Sequence, residues 1–330
     1  TMAVPSSMKL LRQSGNSTLH ELVLPTPSYA QGRVLVATLR GDRAEIGRAY
    51  GALLHNETID TLQKFLSKLI PDASTRDVFL KFADFLWDRY ESAHVPQPFL
   101  DELAAMPADV AAVTRRFNTL GNLPADPQNL ITALEFELEK GLPPALAEII
   151  NAVINELTKC TWCAKRSDGR ARLPFAPGCD AFAAWGSRTA GGRLFSSRNL
   201  DWNKDTGIAA HKLVTVFHPD DGTPPYATFG FASGLGAIAG MSKAGLTVSE
   251  MNLDNSRTAF EGPPFPIRLR LVLEGATTLA EARSLWEATN NTDSMNYMVA
   301  SGAERNAMAI EAMRGFSAFF GAADPVEANA

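Results

Sequence analysis

The chain has 330 residues, 45% of them hydrophobic and 20% charged, a balance that suits a folded core and excludes a disordered or fibrous chain. Its 31 Lys and Arg against 36 Asp and Glu leave a net charge of −5, so no basic face is offered to a phosphate backbone and nucleic acid is excluded as a partner. No run reaches the roughly 20 apolar residues of a membrane helix; the longest candidate, 146–157, is broken by Glu148, Asn151, Asn155 and Glu156, so no transmembrane segment is expected.

The opening Thr1-Met2-Ala3-Val4-Pro5 lacks the basic-then-apolar pattern of a secretory signal, which points to an absent or removed leader. Ser6-Ser7-Met8-Lys9 matches S-x-x-K formally but falls in a terminus expected to be mobile, and is set aside. One early strand is predicted, 32–39, where Val34, Val36 and Thr38 alternate with Leu35 and Ala37. Asp42 with Glu45 makes a capping box, and Ile46, Ala49, Leu53, Leu62, Phe65, Leu66 and Leu69 follow at helical spacing until Pro71. Further helices are predicted over 78–90, 99–117, 127–140 and 143–160.

Near residue 178 the texture becomes β. Segments 181–186 and 193–198 flank Ala190-Gly191-Gly192, a hairpin signal, and 213–218 meets 226–231 across Asp220-Asp221-Gly222. Strands 237–241 and 246–251, helices 267–274 and 279–288, and strands 297–300 and 307–312 complete the reading. This order predicts an α+β fold, antiparallel sheet against helices, divided into a mainly helical region 1–178 and a β-rich region 179–330.

Most familiar chemistries fail on spacing. Gly234-Leu235-Gly236 continues to Gly240 with the wrong interval for a dinucleotide loop and runs into strand, so no cofactor is expected. No G-x-S-x-G or H-E-x-x-H occurs, and the histidines at 20, 55, 94, 211 and 218 have no ligand spacing. Cys160 and Cys163 supply only half a zinc shell, so a local disulfide or reduced thiols are expected there, and no metal. Sequons at Asn16, Asn56 and Asn290 lean slightly towards a secretory, lysosomal or extracellular glycoprotein.

What remains is Cys179, where a Pro- and Gly-rich connection meets the first strand of the β half. Alone, such a cysteine reads as a small buried hydrophobe. The predicted hairpin, however, returns Arg198 and Asp201 beside it; a guanidinium can lower a thiol pKa and a carboxylate can orient an amine, whereas a surface salt bridge is the plainer reading of the pair.

Gly178-Cys179, Gly191-Gly192-Arg193-Leu194-Phe195, Arg198-Asn199-Leu200-Asp201-Trp202, Gly240-Met241-Ser242-Lys243-Ala244-Gly245-Leu246, Met251-Asn252-Leu253 and 263–282 stand in an order that resembles the cysteine N-terminal-nucleophile hydrolases. The resemblance is to their penicillin acyltransferase-like and choloylglycine-hydrolase-like branches, and Glu45 to Leu54 looks like the leading helix of the former. It implies a four-layer αββα sandwich preceded by the helical segment, and autocatalytic cleavage of the Gly178–Cys179 bond. Cys179 becomes the nucleophile and its freed α-amine the base; such an amine titrates near pH 8. Arg198 and Asp201 would position thiol and amine, and Asn252 with a backbone N–H would hold the oxyanion. The implied substrate is a small N-acyl or lipid-like amide, hydrolysed or transferred through a thioester.

Two departures stand out: Asp180 replaces the Ser or Thr of many relatives, and the family pattern calls for further strands and a second oxyanion-side Asn beyond Ala330. A C-terminal companion from the same precursor is therefore expected. The alternatives are a non-catalytic binding or structural subunit of this fold, which an uncut Gly178–Cys179 bond would favour, and a phospholipase B-like lipid hydrolase.

Overall fold

The computed structural model describes residues 8–23, 33–124, 126–160, 163–165, 171–172, 178–201, 206–253, 255–322 and 324. Strands β1 (Met8–Ser14), β2 (Ser17–Val23) and β3 (Arg33–Gly41) come first, and six helices follow: α1 (Arg43–Leu69), α2 (Ala73–Leu86), α3 (Gln97–Ala105), α4 (Ala108–Gly121), α5 (Pro127–Glu139) and α6 (Pro144–Thr158). After the short β4 (Ala164–Lys165) and β5 (Ala171–Arg172) come β6 (Gly178–Gly186), β7 (Gly192–Asp201), β8 (Lys212–Pro219), β9 (Tyr226–Phe231), β10 (Ala239–Ser242) and β11 (Leu246–Asn252). Helices α7 (Phe265–Gly275) and α8 (Leu279–Glu287) then precede β12 (Met295–Ser301), β13 (Asn306–Met313) and β14 (Phe316–Gly321).

Ten strands form one sheet in the order β1-β2-β3-β8-β9-β10-β11-β12-β13-β14. Every pairing is antiparallel except β3 with β8, which run parallel from Leu35 beside Leu213 to Gly41 beside Pro219. The protein is thus α+β, with eight α-helices among the described residues and a large sheet. Leu246 and Val248 of β11 point into a core shared with Leu269, Val272 and Leu273 of α7 and with Ile46 and Tyr50 of α1. Thr247, on the opposite face by strand alternation, bonds Ser196 of β7. Helices therefore cover one face of the sheet and the β6–β7 hairpin lies on the other. These are three layers; the fourth layer of the expected αββα sandwich is not among the described residues.

Two expectations about region 1–178 are corrected. It is not helical apart from one strand: β1 and β2 form a hairpin that joins β3 in the main sheet, and Met8 and Lys9 open β1 rather than lying in a mobile end. The period-two signal is hidden there because a bulge between Leu10 and Arg12 breaks the alternation, and polar residues crowd both faces of an edge ribbon. The helix expected over 99–117 is two, because Pro107 cannot continue the helix begun at Gln97 and instead occupies the N-cap of α4. Strand β14 was not expected; Gly315, at φ +70°, turns the chain back from β13.

The capping box forms as read: Glu45 N–H donates to Asp42 Oδ1 at 2.6 Å, and Asp42 N–H to Glu45 Oε2 at 2.9 Å. Cys160 and Cys163, just beyond α6, are joined by a disulfide. A buried ionic network ties the first region to the second. Arg43 Nη1 donates to Glu102 Oε1 at 3.0 Å and to Glu274 Oε1 at 2.9 Å, while Arg270 donates to Glu102, Glu274 and Tyr226.

Candidate active site

The β6–β7 hairpin builds the site. Gly186, Gly191 and Gly192 all lie at positive φ, so the chain can turn tightly between its strands, and Thr189 Oγ1 braces the turn by donating to the Arg193 carbonyl at 2.6 Å. The register then sets Gly178 opposite Asp201, Cys179 opposite Leu200 and Ala181 opposite Arg198. Cys179 and Arg198 are therefore diagonal neighbours on the hairpin's inner face, the one turned to the main sheet.

Arg198 Nη2 donates to Cys179 Sγ at 3.1 Å and to Glu250 Oε2 at 2.8 Å, and its Nε donates to the Glu250 carbonyl at 3.2 Å. Glu250 lies in β11, the main-sheet strand nearest β6, and is buried. Burial pushes its carboxyl up to about 7 against the opposing pull of Arg198, with Asp293 adding to the rise. Its Oε1 has no hydrogen-bond partner among the described residues. Burial also pushes the Cys179 thiol up to about 11, helped by the charge of Glu250; Arg198 and backbone hydrogen bonds from Asn252 and Asp201 pull the other way.

Of the residues singled out from sequence, Cys179 and Arg198 are in direct contact. Asn252 ends β11 and meets the thiol through its backbone. Asp201 also meets it through its backbone, while its carboxylate, on the exposed outer face, accepts from Asn199 Nδ2 at 2.8 Å. Trp202 of the same motif lies outside the described residues.

Glu250 is the residue that sequence reasoning missed. The signal was present: it stands at the same parity as Leu246 and Val248 in a strand correctly placed over 246–251, so it had to point inward. An inward carboxylate needs a cation, and Arg198 is that cation.

Two spaces adjoin the Arg198–Glu250 pair. A groove of about 520 Å³ runs between hairpin and sheet, lined by Ser196, Leu200, Phe229, Met241 and Thr247 among others. A narrower cavity of about 40 Å³ lies between α1, α4, α7 and the sheet, with Phe65, Phe117, Phe231, Ile238, Phe265 and Met295 in its wall. No cluster of three or more metal-ligating side chains occurs among the described residues. The described helices include none long and apolar enough to cross a membrane.

No protein-family description matches the chain. It is similar to Protein dcd1B of Dictyostelium discoideum, 23% identical over 284 residues that cover 84% of this chain and 50% of that protein. The chain thus spans about half the length of the curated relative it matches. Among solved structures it is similar to a Caenorhabditis elegans N-acylethanolamine-hydrolyzing acid amidase ortholog, with TM-score 0.35 and 19% identity, over 47% of this chain and 66% of that one.

Proposed function

We propose that this protein is an autoprocessing cysteine amidohydrolase that cleaves linear N-acyl amides through a thioester, its αββα fold being completed by a companion segment or polypeptide. The observation that carries the reading is the contact of Arg198 with Cys179 Sγ, at the first strand position after Gly178, with Glu250 holding the guanidinium from behind. In the uncut chain the thiol stays protonated near pH 7, since its pKa is about 11. Maturation is an N-to-S shift: Sγ attacks the Gly178 carbonyl, the Cys179 nitrogen leaves with a proton, and water hydrolyses the thioester to a Gly178 carboxylate. The freed α-amine then sits on the nucleophile's own residue and takes the thiol proton as Sγ attacks an amide carbonyl. The same amine protonates the departing nitrogen, and water releases the acid.

Arg198 favours the anionic sulfur and fixes its position, and the backbone at Asn252 lies within reach of the oxyanion. The companion is supported by what the hairpin leaves bare. Phe182 and Phe195 on its outer face are 57% and 55% exposed, and Phe229 and Met241 on the facing sheet are 42% and 48% exposed. Single exposed apolar residues are ordinary; the outer pair suits a further layer over the hairpin, and the pair lining the groove suits additional strands beside it.

The test is Cys179→Ala beside the unaltered protein, with N-terminal sequencing and release of acid from N-acyl amides as readouts. Loss of both cleavage and hydrolysis in a folded variant is expected; retained hydrolysis refutes the nucleophile. A second reading, a non-catalytic subunit of the same fold, is favoured by the thiol, which burial pushes up to about 11 and so keeps protonated near pH 7. Purified wild-type protein that never acquires a Cys179 N-terminus would establish it instead.

A further inference from the structure

Asn290, in the sequon Asn290-Asn291-Thr292, follows α8 and lines a groove of about 560 Å³ between the end of α5, the end of α8 and the β13–β14 turn. Its two neighbours anchor the chain there. Asn291 Nδ2 donates to the Met313 and Phe316 carbonyls at 3.0 and 2.7 Å, and Thr292 Oγ1 donates to the Pro263 carbonyl at 3.1 Å. Asn290 itself is exposed, and its Nδ2 donates to the Glu261 carbonyl at 3.0 Å. That bond uses one amide hydrogen and leaves the second for substitution.

The groove suits a neutral sugar. Its cations, Lys140 and Arg314, are matched by the carboxylates of Glu261 and Glu287, so it holds no net charge for an ion. Arg314 lies over the Phe136 ring, 4.0 Å from the centroid, and its Nη1 has no hydrogen-bond partner among the described residues. Phe316, in the same wall, is 42% exposed. A hexosamine presents C–H groups on one face and an acetamide and hydroxyls at its edge; an open aromatic ring receives the first and a guanidinium the second. The other two sequons stand differently: Asn16 at the tip of the β1–β2 hairpin and Asn56 midway along α1, both exposed, so that chains attached there would extend into solvent. The Cys160–Cys163 disulfide is an independent sign of the oxidising compartment in which sequons are modified.

We propose that Asn290 carries an N-linked oligosaccharide whose first N-acetylhexosamine lies in this groove against Phe316. Transfer from a polyprenyl-pyrophosphate-linked oligosaccharide forms the bond from Nδ2 to the sugar C1, breaks the bond from C1 to the pyrophosphate oxygen and releases the amide proton. Thr292 is buried in the folded chain, so transfer precedes folding and the groove forms around a sugar already attached.

The test takes the chain secreted from a eukaryotic host, with any companion that copurifies, and digests it with peptide N-glycosidase in heavy-oxygen water, either folded or unfolded. Release turns a glycosylated Asn into a labelled Asp that peptide mass mapping locates. Asn290 should be labelled in the unfolded protein. From folded wild type its release should be about tenfold slower than from folded Phe316→Ser, the factor for roughly 60 Å² of apolar sugar surface that the ring keeps from water. That substitution retains the backbone carbonyl on which Asn291 depends. An unmodified Asn290 in the secreted protein, or release unmoved by Phe316→Ser, overturns the proposal. Should the variant fail to fold, wild type decides: release from Asn290 as fast in the folded as in the unfolded protein overturns it equally.

Discussion

Arg198 and Glu250 are nearly inaccessible to water, so their mutual attraction is weakly screened and either one alone is expensive to keep buried. Glu250→Ala should therefore destabilise the protein by about 3–5 kcal/mol in urea unfolding, whereas Arg198→Met combined with Glu250→Leu should recover most of that loss while remaining inactive. Equal stability of the single and double variants would show the pair to be uncoupled. A second consequence concerns pH. Burial raises Glu250 and Asp293 to about 7 and Glu91 to about 8, from ordinary values of 4.5, 3.8 and 4.5. Each binds its proton more tightly folded than unfolded, so its stabilising contribution is complete below the ordinary carboxyl value and is lost as pH rises through 7 to 8. Thermal midpoints measured from pH 5 to 8 should fall, and Glu91→Gln, which cannot ionise, should flatten the decline while changing little at pH 5. A midpoint that rises over that range would contradict the burial of these carboxyls. Cys179, Arg198 and Asp201 could be set side by side from sequence because a hairpin is a local object whose turn and register are written in neighbouring residues, whereas Asn252, in β11, was named through the family resemblance alone. Glu250 was not named, since its importance arises only where β11 meets a hairpin some fifty residues earlier.

Helix α1 crosses α3 at very short range. A Cβ on Gly47 would stand 2.0 Å from the Glu102 carbonyl oxygen, and one on Gly51 would stand 2.3 Å from Pro107 Cδ. These two glycines, one turn apart, allow the α3–α4 corner to reach α1 and bring Glu102 onto Arg43. Gly47→Ala should separate the helices and cost about 1–3 kcal/mol despite the better helix propensity of alanine, as read by chemical unfolding. Stabilisation by that change would mean the crossing is looser. At this scale the elements with strong internal signals were readable: α1 from its capping box and apolar spacing, β8 with β9 and β10 with β11 from their alternation and turns. The β1–β2 ribbon was not, because an edge that exposes Leu10 and Val23 and carries a bulge is shaped by its neighbour β3 more than by its own pattern. Pro107 was a visible breaker inside 99–117, and the continuous apolar spacing on both sides of it masked the break.

Cutting the chain before Cys179 would leave β1–β3 and α1–α6 on one fragment and the remainder of the sheet on the other. The parallel pairing of β3 with β8 and the Arg43–Glu102–Arg270–Glu274 network cross that divide inside the core. Both fragments should therefore elute together from a sizing column in native buffer and part only in denaturant; separation in buffer alone would contradict this packing. The division into regions 1–178 and 179–330 follows a change of sequence texture and does not follow the sheet, which no local signal could reveal. Strands β3 and β8 find each other across more than 170 positions of intervening chain. While the chain is continuous, that search is intramolecular, and its entropic cost grows only slowly with the length of the loop. Once the chain is severed, the same strands would have to meet as two separate solutes. Heat-induced unfolding of the cut protein would then be a one-way event whose recovery depends on dilution, whereas the uncut precursor could refold. Cleavage would thereby convert a thermodynamic stability into a kinetic one, and a molecule that matured would have a single opportunity to fold.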